Sequence, residues 1–198
     1  MVTGAGLGAF RDPTLPDVYR RGVRTAQQLS EALRRRPAAP ATRGRVRMVV
    51  ARQNDGQHDV LERGRITVEE GLVGDRWAQA PSPALDRQIT LMEHWVAELV
   101  ADGQPVDRPG DNLLVDLDLS ARAAPAGTRL RAGTCVLEVT AKPHTGCKKF
   151  RERFGLDALR WLSVPEHADR RLRGINCRVV ESGEVGPGDE IVNLGPAT

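Results

Sequence analysis

The sequence predicts a mainly β domain: a closed β-barrel with a few inserted helices, preceded by one N-terminal helix. Short runs of alternating aliphatic residues recur between residues 44 and 194, and glycines punctuate them. Such glycines relieve the bends and bulges that a sheet needs in order to close on itself. The chain shows no regular alternation of strands and helices and no G-x-G-x-x-G or Walker-type loop, so a Rossmann or P-loop nucleotide site is disfavoured.

The first helix is predicted over residues 17–36, because apolar side chains recur there at three- to five-residue spacing. Asp17 is the expected N-cap. Pro37 and Pro40 cannot continue a helix, which predicts a linker at residues 37–43.

The barrel domain is assigned to residues 44–198, after the helical extension and linker at residues 1–43. Alternating or Val-rich runs predict strands within residues 46–53, 63–77, 87–92, 112–119, 126–140, 175–180 and 182–194. Apolar periodicity predicts helices at residues 93–103, 147–154 and 156–163, the last two separated by Gly155.

The composition is that of an ordinary globular protein. The 198 residues suffice for one domain with a sizeable core, 40% of them are hydrophobic, and no apolar run approaches the roughly 20 residues that cross a bilayer. The N-terminus resembles no secretory signal and the chain has only three cysteines, which predicts a cytoplasmic protein with free thiols. No membrane partner is expected.

Charge is unevenly spread along the chain. Residues 1–43 carry eight Arg and three acidic side chains, a balance of +5, whereas the remaining residues carry 21 basic and 23 acidic side chains. Only 4% of residues are aromatic, which leaves few platforms for stacking bases. A local cationic patch for a small anion is therefore expected on the body, and no nucleic-acid partner.

Two of the three cysteines are predicted to be inert core residues. Cys135 shares a strand face with Leu137, and Cys177 shares one with Val179. Cys147 stands in a different setting, because the proline and the glycine of "PHTGC" end the preceding strand. With Thr145 as N-cap, Cys147 would occupy the first turn of the following helix.

The surroundings of Cys147 favour a reactive thiolate or a soft metal ligand. Unpaired N–H groups and the positive end of the helix dipole stabilise a thiolate at a helix start. Lys148, Lys149 and His144 add positive charge or hydrogen-bonding capacity nearby. The same pattern also fits a partly buried cysteine that begins a helix beside solvated lysines.

Two other uses of this cysteine stay open. His144 and Cys147 could form half of a zinc site if Cys135, Cys177 or His167 completed a tetrahedron, although the chain has no C-x-x-C pair. A Cys–His catalytic pair is also conceivable, although only three residues separate the two side chains and no oxyanion hole is marked in the sequence.

Six blocks of the sequence resemble, in order, those of MOSC domains, which are named for the C-terminal region of molybdenum-cofactor sulfurases. The blocks are "GLVGDRW" (71–77), "RQITLM" (87–92), "GDNLLVDLDLS" (110–120), "AGTRLRAGTCVLEVTAKPHTGCKKF" (126–150), "RLRGINCRVV" (171–180) and "GEVGPGDEI" (183–191). The resemblance covers about residues 44–194 and is greatest to the small stand-alone bacterial MOSC proteins.

The resemblance implies a β-barrel similar to the pyruvate-kinase barrel domain, and it implies that the cysteine at position 147 is the functional one. In MOSC proteins that bind molybdenum cofactor, the corresponding cysteine ligates the metal. In the sulfurase branch it has been proposed to carry sulfur. Relatives with the cofactor reduce N-hydroxylated compounds. Full-length sulfurases use PLP in a separate domain, so PLP is not expected in this chain.

The resemblance and the residue types together give a set of candidate site residues. A pterin phosphate needs a cationic cradle, and the pterin edge needs hydrogen-bonding groups. Arginines are also common as surface ion-pair partners, and Asp and Asn as turn formers. The candidates are Cys147 as metal ligand and catalytic residue, His144 as a second catalytic residue, Arg76, Arg87, Lys148 and Arg173 for the phosphate, and Asp75 and Asn112 for the pterin.

Three functions follow as hypotheses. The first is a molybdenum-cofactor oxidoreductase acting on a small N-hydroxylated substrate, with a redox partner. The second is a sulfur carrier that holds a persulfide on Cys147 and works with sulfur donor and acceptor proteins. The third, opposed by the slightly acidic body, is a binding module in which the Arg-rich extension contacts nucleic acid or another protein.

Overall fold

The computed structural model of the chain describes residues 24–196, which contain eleven strands and three α-helices. The strands are β1 (Arg43–Arg52), β2 (His58–Leu61), β3 (Gly64–Thr67), β4 (Gly71–Leu72), β5 (Ile89–Glu93), β6 (Leu113–Val115), β7 (Thr128–Ala132), β8 (Cys135–Val139), β9 (Ile175–Glu181), β10 (Gly183–Val185) and β11 (Glu190–Pro196). The helices are α1 (Ala26–Arg35), α2 (His94–Ala101) and α3 (Lys148–Ser163).

Seven of these strands close into a barrel, which confirms the predicted fold. They are hydrogen-bonded in the order β11-β7-β8-β9-β5-β6-β1, and pairing of β1 with β11 completes the ring. The β5–β6 pair is parallel and the other neighbours in the ring are antiparallel. Closure leaves no unpaired edge within the ring, because both sides of each strand are paired. Strand β2 extends the sheet beside β1, and β10, β3 and β4 form a separate small sheet.

The barrel interior is a continuous apolar core. It is filled by alternate residues of the ring strands, for example Leu91, Leu130 and Leu137, which are fully buried. Cys135 and Cys177 belong to this core, so their prediction as packing residues is confirmed. Burial raises the pKa of the Cys135 thiol to about 12, and it also raises the pKa of the Cys177 thiol. Neither thiol is available as a nucleophile.

A second core lies between the barrel and its helices. Leu29 and Leu33 of α1 are buried there with Val96 of α2 and with Phe154 and Trp161 of α3. The predicted apolar face of the first helix is thus confirmed for its described part. Since α1 shares this core with α2 and α3, it is part of the same packed unit as the helices that follow it.

Helix α1 begins at Ala26, within the predicted range 17–36. Thr25 is the N-cap of α1, and it forms a capping box with Gln28 in which each side chain binds the other residue's backbone N–H. Asp17, the expected N-cap, lies outside the described residues. The end agrees with expectation, because Arg36 is extended (φ −78°, ψ 128°), as the residue before a proline tends to be.

Helix α3 has a break at Gly155, as the sequence predicted. Gly155 has φ 79° and ψ 173°, a conformation that side-chain-bearing residues rarely adopt, and helical geometry resumes after it. Gly155 therefore kinks α3 between its two halves. No helix among residues 24–196 has the length and apolar character needed to cross a bilayer.

Candidate functional site

A cavity of about 700 Å³ is formed where four connecting segments meet. Its walls come from the end of β1, the loop between β4 and β5, the turn at Pro109–Gly110, and the segment that runs from Lys142 into α3. Each segment is joined to a strand or a helix, so the rigid barrel and its helices fix their relative positions.

Cys147 lies on the cavity wall and its side chain is exposed. The prediction that Thr145 caps the helix was wrong, because Cys147 itself has the non-helical N-cap conformation (φ −114°, ψ 174°) and α3 begins at Lys148. The first hydrogen bond within the helix runs from the Arg151 N–H to the Cys147 carbonyl at 3.1 Å. The N–H groups of the first turn therefore have no carbonyl partner inside the helix, and they leave the sulfur beside the positive helix end.

The cavity wall is strongly cationic. Of the described residues that line it, none is Asp or Glu, and seven are Arg or Lys: Arg52, Arg76, Arg87, Lys142, Lys149, Arg153 and Arg173. Lys149 and Arg153 stand four residues apart and thus share one face of α3. A site of this charge is suited to an anion such as a phosphate.

Arg52 is held by a buried network behind the cavity. Its Nε and Nη2 donate to the two carboxylate oxygens of Asp75, each at 2.8 Å, and its backbone N–H donates to Asp75 at 2.7 Å. Asn112 Nδ2 donates to the same carboxylate at 3.0 Å, and Asn112 Oδ1 accepts from the Thr90 backbone N–H at 3.1 Å. Burial alone would raise the pKa of Asp75, but the contacts with Arg52 outweigh it and lower that pKa.

Arg173 is held by a second buried carboxylate. Its Nη1 lies 2.5 Å from Oδ2 of Asp111, its Nη2 donates to the Pro109 carbonyl at 3.2 Å, and its guanidinium stands over the Phe150 ring at 5.2 Å. The other carboxylate oxygen of Asp111 faces Nδ1 of His144 at 3.4 Å without hydrogen-bond geometry.

His144 is neutral at physiological pH. Burial, followed by the positive charge of Arg173, lowers the pKa of its imidazole to about 3, although Asp111 acts in the opposite direction. Arg173 Nε and His144 Nδ1 are both buried without a hydrogen-bond partner among the described residues. The hydrogen-bonding capacity of these two atoms is therefore unsatisfied within the wall.

The structure brings five of the eight sequence candidates to the cavity wall, namely Arg76, Arg87, His144, Cys147 and Arg173. Asp75 and Asn112 lie one layer behind the wall, where they orient Arg52. Lys148 points away from the lining: its side chain is 89% exposed and lies 3.8 Å from Glu152.

Other lining residues were absent from the candidate set, above all Arg52 and Arg153, together with His58 and Trp77, and Lys149 was noted only as a charge near Cys147. An isolated Arg at a strand end or on a helix gives no signal that separates it from a surface ion-pair partner. One signal was available: Lys149 and Arg153 are four residues apart in the predicted helix after Cys147, which places both cations on the same helix face.

The zinc alternative was wrong. Cys135 and Cys177 are packed in the barrel core, and His167 Nδ1 contacts the Trp161 carbonyl at 2.7 Å. Within residues 24–196, no three His, Cys, Asp or Glu side chains cluster in a way that could hold a metal ion unaided. A metal at Cys147 would thus need to bring its other ligands with it.

Comparisons with known proteins give a family and a fold. A family model for the MOSC domain matches residues 86–192. The fold is similar to that of the YUAD protein from Bacillus subtilis, with 15% identity and a TM-score of 0.57 over 75% of this chain and 94% of that one. It is also similar to YiiM from Escherichia coli, with 17% identity and a TM-score of 0.52 over 78% of this chain and 71% of that one. No curated protein matches the chain significantly.

Proposed function

The chain belongs to the MOSC domain family, and from that premise we propose that it binds molybdenum cofactor in the cationic cavity and reduces N-hydroxylated compounds. The family is linked to proteins that bind this cofactor. The observation that carries the proposal is the exposed sulfur of Cys147 on a cavity wall with seven cations and, among the described residues, no carboxylate.

The residues present fit the cofactor's chemistry. Molybdenum held by the sulfur atoms of a pterin dithiolene is a soft centre that accepts a thiolate. The cofactor brings its other ligands, so one protein donor suffices, in keeping with the lack of a three-residue metal cluster in the described chain. The pterin phosphate is an anion, for which Arg76, Arg87 and Lys149 supply charge on the cavity wall.

The chain's own groups have separable roles in this proposal. Cys147 holds the metal, and Arg52 is kept in one orientation by Asp75, so that it presents a fixed cation at low entropic cost. His144 offers a neutral imidazole, which can exchange a hydrogen bond with a ligand without adding charge. When bound, the cofactor would supply the two-electron chemistry that cleaves an N–O bond.

The test is metal and pterin content in protein from a molybdate-fed host. Wild type is expected to retain molybdenum and pterin in equal amounts and to reduce hydroxylamine with an artificial electron donor. Cys147→Ala should lose the activity and most of the metal, whereas Arg151→Gln, a charge change at an exposed site on the same helix, should retain both. Folded wild type without either component would refute the proposal.

A second candidate function is sulfur carriage by a Cys147 persulfide. It is favoured by one observation: Cys147 is the exposed thiol of the three, so a protein partner can reach it while Cys135 and Cys177 stay protected. Incubation with a cysteine desulfurase and cysteine should then add one sulfur atom, located on Cys147 by mass spectrometry. If the protein gains no sulfur while it reduces hydroxylamine, the oxidoreductase proposal stands alone.

A further inference from the structure

Arg153 of α3 is anchored by three acceptors from other segments. Its Nη1 donates to the Arg108 carbonyl at 2.6 Å and lies 3.3 Å from Nε2 of His58, and its Nη2 donates to the Gly56 carbonyl at 3.2 Å. These contacts come from the loop after β1, from β2 and from the loop before β6. A long flexible side chain is thus restrained while its guanidinium still lines the cavity.

His58 is in turn fixed by Asp107. Nδ1 of His58 lies 2.9 Å from the Asp107 carbonyl oxygen and 3.2 Å from its carboxylate Oδ2. Both partners are acceptors, so the proton resides on Nδ1 and the lone pair of Nε2 accepts from Arg153. Burial and then the charge of Arg153 lower the pKa of His58, which keeps the imidazole neutral and able to accept. The order Asp107, His58, Arg153 is therefore a directed chain of hydrogen bonds.

Cys147 and Arg153 line the same cavity. Burial and the neighbouring Arg108 lower the pKa of the Arg153 guanidinium, whereas Cys147 raises it. A fixed guanidinium on the cavity wall attracts anions into the cavity. The Arg153 side chain is only partly buried, so this attraction is screened in part by solvent.

We propose that Arg153 directs anionic reactants to Cys147 through its fixed positive charge, with His58 and Asp107 as positioning residues that hold the guanidinium in place. The proposal rests on Cys147 being the reactive group of the proposed function, and it applies equally to metal ligation and to sulfur carriage. It assigns a role to three residues, His58, Asp107 and Arg153, that lie outside the sequence candidates.

The experiment measures alkylation of Cys147 in the full chain from cells grown without added molybdate. Because Cys135 and Cys177 are buried, the rate in folded protein reports Cys147 alone. Two probes are compared, neutral iodoacetamide and anionic iodoacetate. The iodoacetamide rate accounts for the reactivity of the thiol itself, and the ratio of the two rates follows the local positive potential.

Arg153→Gln is expected to lower the iodoacetate rate by roughly three- to tenfold and the iodoacetamide rate by less. Arg153→Lys should restore much of the loss, since it returns the charge without the fork of donors. Arg151→Gln is the charge-matched control, because Arg151 is exposed on the same helix and absent from the cavity lining; its rates should stay near wild type.

His58→Phe tests the positioning step, because it removes the acceptor and keeps a ring. It should lower both alkylation rates, as Arg153→Gln does. It should have no further effect when Arg153→Gln is already present. If His58→Phe does not fold, the Arg153 variants decide the matter. The proposal is overturned if Arg153→Gln reacts like wild type, or if Arg151→Gln loses as much. Molybdenum content is read separately, so failure of the cofactor proposal leaves this result interpretable.

Discussion

Arg173 and Asp111 form a buried ion pair, 2.5 Å between Nη1 and Oδ2, at a wall shared by two cavities. The larger is the candidate site, and the smaller, of about 350 Å³, is also lined by the segment Lys142–Thr145. Because Arg173 lines both cavities and Asp111 is its buried counter-charge, loss of the pair should affect both the stability of the protein and the shape of the site.

Removal of the Asp111 carboxylate should be strongly destabilising. Asp111→Ala leaves the buried Arg173 guanidinium without its counter-charge, which costs about 3–5 kcal/mol in free energy of unfolding. Urea unfolding measures this change. The control is Glu31→Ala, which breaks the exposed Arg35–Glu31 pair and should cost less than about 1 kcal/mol. Equal effects of the two changes would contradict the burial argument.

Acidification should destabilise the protein through His144. The pKa of His144 is about 3 in the folded protein against 6.5 when unperturbed, so between these values only the unfolded chain takes up the proton. The free energy of unfolding then falls with falling pH, by up to about 1.4 kcal/mol per pH unit, and this contribution is complete above 6.5. His144→Gln should flatten the slope between about pH 7 and about pH 5 in urea unfolding. An unchanged slope would show that His144 is protonated in the folded state.

Gly174 should tolerate no side chain, because it has φ 94° and a Cβ would stand 1.9 Å from the Leu91 carbonyl oxygen. Gly174→Ala should cost well over about 2 kcal/mol, since both backbone strain and a clash with main chain arise. Gly188, with φ 91° but open space around it, isolates the strain alone, and Gly188→Ala should cost about 1 kcal/mol. Thermal unfolding of the two variants gives the difference.

Native thiol labelling should modify Cys147 alone. A maleimide reagent should add once to folded wild type and three times after denaturation, because Cys135 and Cys177 have no exposed surface in the barrel. Folded Cys147→Ser should remain unlabelled. Labelling of Cys135 or Cys177 in native protein would mean that the barrel opens on the time scale of the experiment.

Removing a positive charge from the cavity wall should lower cofactor retention more than removing one elsewhere on the protein. Arg76→Gln removes a lining cation and is expected to lower the pterin content by about tenfold, which corresponds to the loss of one charge-assisted contact with a phosphate. Arg151→Gln should retain the wild-type content. Mass spectrometry of released pterin makes the comparison, and equal retention by both variants would place the phosphate elsewhere.

The sequence by itself determined the features that depend on near neighbours. Alternation of apolar residues identified the barrel strands and assigned Cys135 and Cys177 to the core, because side chains two apart on a strand share a face. The break at Gly155 and the position of Cys147 at a helix start were also local properties. Even here the predicted N-cap of α3, Thr145, was wrong, because the N-cap is Cys147. A residue type favours the capping conformation but does not determine which residue adopts it.

Only the tertiary structure decided which charges face the cavity. Arg153 meets His58 across 95 positions of the chain, and Arg173 meets its carboxylate at Asp111 across 62. Asp75 and Asn112 were recognised as polar residues of interest, but their burial behind Arg52 follows from a contact between distant segments. The electrostatic potential at a side chain is set by every group packed around it. Folding brings most of those groups together from distant positions in the sequence.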